Sequence, residues 1–353
     1  MKPGARNASL DTLRALAVTG VFVHHLFPGV TTMGDRGVDL FFVLSGYLIG
    51  GIVFARYTKD GTISPFAFWR DRWLRTLPAY YAALTIYMAK DFIAGKPVLA
   101  TFGSYIGFLQ SYVAAPGQLP RFHHSWSLAV EEHFYLVLPL LLLVLAKVRL
   151  RKYAMQVILG IGIALVIIRT IYVESGGDIQ IKLTHWRTDA LVVGVLLAKL
   201  DQTAWFRPWL VERRRGLAVL ALGALVLAGW IDLRHNPYFE LPVALAFGML
   251  VMLGIANLPA FEVPGKTRVV AWIARISYSV YLVQPLVLIE VAKRNLPERF
   301  GAAGTALAIA ASIGLTLLAS QLLYTFVERP GLAIRDKLRA RRKKLETPSS
   351  LAS

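Results

Sequence analysis

Three stretches of this sequence carry side chains that can move protons or hold anions. The first is Leu10-Asp-Thr-Leu-Arg-Ala-Leu-Ala-Val-Thr-Gly-Val-Phe-Val-His-His-Leu-Phe27. Arg14 and His25 are eleven residues apart. In a helix that is about three turns, so both lie on one face roughly 16 Å apart along the axis. The guanidinium can hold a phosphate and the imidazole can take or give a proton. A structural account competes, because Asp11 can pair with Arg14 at i,i+3 and a buried His can bond across helices. His24 points about 100° away from His25, so at most one of the two shares the face of Arg14.

The second stretch is Gly37-Val-Asp-Leu-Phe-Phe-Val-Leu-Ser-Gly46, with Gly50 one turn further on. Asp39 is expected near the depth of His25, where a carboxylate can orient or charge an imidazole or simply cap a helix. Gly46 and Gly50 form a small-xxx-small pair for close helix approach, most simply to the first helix. The third stretch runs Phe122-His-His-Ser-Trp-Ser-Leu-Ala-Val-Glu-Glu-His-Phe-Tyr135. His124, Ser127, Glu131 and Tyr135 fall at intervals of 3, 4 and 4 on one helical stripe. Capping by Ser125 or Ser127 and interface anchoring by Trp126 and Tyr135 explain part of this pattern but not Glu131.

Other candidates read as structural. Phe68 to Pro78, with Arg70, Arg72 and Arg75, is a basic aromatic stretch that suits a positive anchor better than a phosphate site. Arg187 and Asp189, two apart, do not face each other on a helix. Gln284 and Glu328 are single polar residues near helix ends.

The elements that position these residues must lie in a membrane. Of 353 residues, 56% are hydrophobic and 17% charged, against a globular norm of about 25% charged. Mean hydropathy is +0.54, and a soluble chain this apolar could not cover itself with polar surface. The absence of cysteine excludes disulfides, thiolate metal sites and thioester enzyme intermediates. No metal is expected.

Runs of about 20 apolar residues predict ten spans near 10–28, 37–55, 75–93, 127–147, 153–173, 186–200, 216–232, 240–258, 274–292 and 302–327. The apolar stretch 101–113 is too short to cross and is expected to be re-entrant or interfacial. The net charge of +18 comes from 39 Lys and Arg against 21 Asp and Glu. With ten spans, 27 of those cations fall on the N-terminal side and nine on the other, which predicts both termini in the cytoplasm. The expectation is an all-α integral membrane protein with about ten transmembrane helices in one bundle over 1–330. No signal peptide is expected, because the first apolar run carries Arg14 and two histidines and no cleavage site follows it. A basic cytoplasmic tail over 331–353 is expected to lack fixed structure and to lie on anionic lipid headgroups or in solvent; nucleic acid is not an expected partner.

Taken together these residues resemble the acyltransferase family 3 membrane O-acyltransferases, which modify bacterial surface polysaccharides and other carbohydrates. Leu10-Asp-Thr-Leu-Arg14 with His25 looks like the family's Arg-x10-His signature, and Gly37 to Gly46 is similar to its second-helix motif. The Arg70/Arg72/Arg75/Pro78 run resembles its basic segment, and Trp126 to Tyr135 its most recognisable string. Ile276-Ser-Tyr-Ser-Val-Tyr-Leu282 and Glu328-Arg-Pro330 match its late motifs. Each is weak alone; six in the family's order are specific. One departure is Gln284, where family members often carry a His, so catalysis is not assigned there. The sequence is also short for the family, without the hydrolase-like domain fused to some members, which implies direct transfer to the final acceptor.

The resemblance implies an acyl-CoA donor, usually acetyl-CoA, and a carbohydrate or glycolipid acceptor at a bacterial inner membrane. Arg14, Arg72 and Arg75 are the expected contacts for CoA phosphates. His25 is the expected general base, with Asp39 or Glu131 stabilising the imidazolium, or a transient acyl carrier. His124, Trp126 and Ser127 are expected on the acceptor side. A proton-coupled transporter using the same His, Asp and Glu residues is the rival, although no matching halves or paired broken helices support it.

Overall fold

The computed structural model describes residues 7–28, 34–113, 122–177, 182–231, 238 and 240–346. Helices make up the regular structure, with no strand among the described residues. They are α1 (Ala8–Leu26), α2 (Gly37–Asp60), α3 (Pro65–Ile93), α4 (Val98–Ile106), α5 (Gln110–Val113), α6 (Trp126–Lys147) and α7 (Ala154–Glu174). There follow α8 (Thr188–Leu200), α9 (Phe206–Ile231), α10 (Glu240–Ile255), α11 (Pro259–Lys266), α12 (Arg268–Ala292), α13 (Leu296–Leu323) and α14 (Arg329–Glu346).

Five of the described helical segments are long and apolar enough to cross a membrane, or six if α10 and α11, bent by 68°, count as one broken span. Among the expected spans outside this set, α8 has only 13 residues. The 101–113 stretch is two short helices separated at Phe108, whose φ is +60°. The expected unstructured tail is instead helical from Arg329 to Glu346, following a π-helical turn over Tyr324–Glu328. Its residues 347–353 lie outside the described set.

Packing divides the bundle expected over 1–330 into two compact units. One comprises Met1–Ile63, Gly107–Leu119 and His123–Ser277; the other Ser64–Ile106, Pro120–Phe122 and Tyr278–Ser353. In the first unit α2 lies against α8. A Cβ on Gly46 would sit 2.1 Å from the Leu191 carbonyl oxygen, and one on Gly194 equally close to that of Val43. Gly50 meets Val195 and Ala198, so the glycine pair receives α8 and not α1 as expected from sequence. A small-residue stripe announces a close neighbour without naming it. Helix α1 starts at Asn7, whose side chain accepts from the Leu10 amide at 3.1 Å, and Thr12 donates to the Phe261 carbonyl at 2.6 Å.

In the second unit α3 starts from the Ser64 cap with Pro65 at its first turn. Tyr278 donates to the Thr76 carbonyl at 3.0 Å. Phe122 is ringed by Tyr80, Tyr87 and Tyr105, with centroids 4.7 to 6.0 Å away. Arg339 of α14 bonds Asp71 at 2.7 Å, which ties the basic helix to α3.

Candidate functional site

Helix α1 is unbroken from Ala8 to Leu26, so Arg14 and His25 share its face as the spacing requires. Arg14 is partly exposed and lies 3.4 Å from Asp11, the pairing that competed with a ligand role. His25 is half-buried at the other end. Its Nδ1 is enclosed and has no hydrogen-bond partner among the described residues. The ring lies 5.7 Å from that of the buried His24, and Asp35, just before α2, is the acid whose charge acts on it.

Asp39 does not serve His25 as expected. Its partners among the described residues are Arg187, through Nη2, and Arg36 at 3.6 Å. Arg187 also reaches Glu240 through Nη1, and Arg36 reaches the same carboxylate at 2.8 and 2.9 Å. All four side chains are at most 8% exposed, so two cations and two acids form a closed knot joining α2, the start of α8 and α10. The Arg187 guanidinium lies over Phe42 at 5.8 Å and over Trp126 at 5.5 Å. Trp126, expected as an interface anchor or acceptor contact, is therefore a wall of the knot. Beside it Arg169 bonds Asp189 at 3.0 Å and the Trp186 carbonyl at 2.6 Å.

The helical stripe on α6 begins at Ser127, because His124 belongs to the 3-10 turn His123–Ser125 that precedes the helix. Both His124 and Ser127 are buried. Ser125 does not cap α6 with its side chain; its hydroxyl and carbonyl instead accept from Gln110 Nε2 at 3.2 and 3.1 Å. Glu131 accepts from Ser45 and from the Tyr135 hydroxyl, each at 2.9 Å. That places Glu131 between α2 and α6, in a hydroxyl cluster rather than at the histidine.

The family model described as an acyltransferase domain, of the acyltransferase 3 type, matches residues 7–325. The chain belongs to this acyltransferase family. The peptidoglycan O-acetyltransferase OatA of Listeria monocytogenes is 27% identical over 356 aligned positions, covering 91% of this chain and 55% of that protein. The O-acetyltransferase OatA of Staphylococcus aureus is 29% identical over 208 positions, covering 54% of this chain and 34% of its own length. The chain thus spans about half the length, or less, of these curated relatives. No solved structure matches.

In this acyltransferase family member the expected arginines of α3 belong to the second unit. Arg72 lies over the Phe68 ring at 5.9 Å, and the charge of Arg75 acts on Glu328, which accepts from Ser279 at 3.0 Å. Gln284 is fully buried, and neither end of its amide has a hydrogen-bond partner among the described residues. Among the described residues no group of three or more His, Asp or Glu is placed to hold a metal ion. Sequence reasoning missed Asp35, Arg36 and Glu240. Arg36 and Glu240 stand at the edges of apolar runs, and the bond that gives them meaning joins residues 204 positions apart.

Proposed function

We propose that the chain is a membrane-embedded O-acetyltransferase that moves an acetyl group from acetyl-CoA to a hydroxyl of a cell-wall or cell-surface glycan. The observation that carries this reading is the family match across residues 7–325, together with a half-buried His25 whose Nδ1 is unpartnered among the described residues. The naming of the Listeria relative as a peptidoglycan O-acetyltransferase favours a glycan acceptor. The reading includes ten spans, both termini in the cytoplasm and a bacterial inner membrane, supported by the 27-to-9 division of cations.

In this proposal His25 takes the proton of the acceptor hydroxyl as its oxygen attacks the thioester carbonyl. The new C–O bond forms, the C–S bond breaks, and the departing CoA thiolate is protonated by the imidazolium. Asp39, the carboxylate expected to stabilise the imidazolium, is engaged by Arg187 and Arg36. Arg14 keeps its proposed role toward the donor phosphates, and Arg72 and Arg75 are proposed separately as phosphate contacts of the second unit. His124 and Ser127 remain proposed acceptor contacts, and Glu131 a proposed positioning residue for α6.

The test is transfer of radiolabelled acetyl from acetyl-CoA into a glycan fraction of membranes holding wild type, His25→Ala or Arg14→Ala at matched expression. Wild type should label the glycan, His25→Ala should lose about 10²–10⁴-fold in rate, and Arg14→Ala should raise KM for the donor. Unlabelled glycan with wild type, together with His25-dependent proton-coupled uptake, would replace the enzyme by the carrier.

A further inference from the structure

A second basic site lies in the first unit, where α2, α6 and α8 end and α7 begins. A cavity of about 500 Å³ is lined there by Tyr57 and Phe54 of α2, Arg149, Arg151 and Lys152 of the turn after α6, and Lys199 of α8. That volume is within the usual range for small-ligand sites, roughly 300–1,000 Å³. No carboxylate lines it, and among the described residues none pairs with the four cations. Asp60 follows Lys59 on the exposed end of α2 and does not reach the lining.

Arg149, Arg151 and Lys152 are exposed, and two of the four cations, Arg151 and Lys199, are fixed by contacts within the cavity wall. Arg151 donates through Nη2 to the Thr58 carbonyl at 2.7 Å and faces the Tyr57 ring at 5.6 Å. Gly61, at φ +74°, gives it room: a Cβ there would lie 2.9 Å from Arg151 Nη1. Lys199 faces Phe54 at 5.5 Å. Arg149 is held at φ +61°, a conformation uncommon outside glycine, asparagine and aspartate.

Helix ends account for part of this charge. Three C-termini supply about −0.5 each and the α7 N-terminus about +0.5, leaving roughly three positive charges uncompensated. Tyr57, which lines the cavity, is only 3% exposed, and its hydroxyl is enclosed without a hydrogen-bond partner among the described residues. An uncompensated cluster of cations, an unused buried donor and a helix N-terminus suit one chemistry.

We propose that this cavity binds a phosphate-bearing anion, either the headgroup of an anionic phospholipid or the phosphates of a soluble nucleotide. The guanidinium and ammonium groups meet the phosphate oxygens, the Tyr57 hydroxyl donates to one of them, and Phe54 and Tyr57 supply the apolar floor. The site is separate from His25 and Arg14, and the inference holds whether or not the chain transfers acetyl groups.

The test uses the full chain purified in neutral detergent, with affinities measured for coenzyme A, dioctanoyl-phosphatidylglycerol and phosphate-free dioctanoylglycerol. Arg149→Asn/Lys152→Gln/Lys199→Gln removes three charges but leaves the Arg151–Thr58 contact in place. Arg213→Gln/Arg214→Gln/Arg215→Gln on α9 removes the same charge elsewhere. Coenzyme A, phosphatidylglycerol or both should bind wild type and the α9 control equally and the cavity variant at least tenfold more weakly, with the diacylglycerol inert. Loss confined to coenzyme A identifies a soluble phosphate, and loss confined to phosphatidylglycerol a lipid. Tyr57→Phe, which removes a single hydroxyl, should weaken the same ligand about threefold and serves if the triple variant does not fold. Failure of both phosphates to bind wild type at low salt, or equal binding by the cavity variants, overturns the proposal.

Discussion

Two groups of cations in the first unit make opposite use of charge. In the knot, Arg36 and Arg187 meet Asp39 and Glu240 in a site almost closed to solvent, and charges balance within it. At the ends of α2, α6 and α8, Arg149, Arg151, Lys152 and Lys199 line one cavity with no acid in the lining; Arg151 meets a carbonyl and the Tyr57 ring, and Lys199 the Phe54 ring. Burying an ion costs several kcal/mol unless a partner of opposite sign is buried with it, so the knot persists only as a complete set. The basin stays open enough for its charges to be hydrated. A saturated cluster belongs to the architecture, whereas one that leaves charge over is available to a ligand.

The sharpest way to break this comparison is to remove one charge from each group. Arg187→Met leaves Asp39 and Glu240 to share Arg36, and should destabilise the protein by about 3–5 kcal/mol. Arg149→Asn removes the same charge from the basin and should shift stability by no more than about 0.5 kcal/mol. Thermal unfolding of the three proteins in one detergent measures both. Equal losses, or none at Arg187, would mean the knot does not hold α2, α8 and α10 together. Adding Asp39→Asn to Arg187→Met should recover part of the loss, because the stranded charge and not the missing contact dominates it.

The knot also marks where sequence reasoning stopped. The face shared by Arg14 and His25 followed from helical periodicity alone, because both residues lie on one helix. The partners of Arg187 are 148 and 53 residues away, and no local spacing brings them together. Asp39 was read toward His25 because both were expected at one depth, but a guanidinium competes better than an imidazole for a buried carboxylate. Gly46 and Gly50 signalled close approach, yet the matching small residue, Gly194, lies in a helix of 13 residues that reads as an ordinary apolar run. His124 belongs to the 3-10 turn that precedes α6, so the expected stripe holds only from Ser127 onward. Spacing within one helix was legible, and pairing between helices was not.

Between the two extremes stands Glu131, half-buried and served by the hydroxyls of Ser45 and Tyr135. Tyr135→Phe removes one donor and should cost about 1 kcal/mol of stability. Its effect on acetyl transfer should stay within about tenfold, well short of His25→Ala. A loss as large as that of His25→Ala at unchanged stability would move Glu131 from the architecture into the chemistry.

The smallest effect should come from an ion pair that water reaches. Asp71, on α3 before the expected span, accepts from Arg70 at 3.0 Å and from Arg339 at 2.7 Å. Burial alone would raise its pKa, but the two guanidiniums outweigh it and hold the carboxyl below its usual range. A carboxylate depressed in the folded state stabilises that state above its unfolded pKa of about 3.9, and the contribution fades as pH falls through the folded value. Arg339 is 38% exposed, so screening limits the pair to about 0.2–1 kcal/mol. Wild type should therefore exceed Asp71→Asn in melting temperature by a small, constant margin from pH 7 to about pH 5, and the margin should close in more acid solution. Added salt should shrink it at every pH. A margin that survives high salt, or that grows toward acid pH, would place Asp71 with the knot, as an ion the fold cannot leave unpaired.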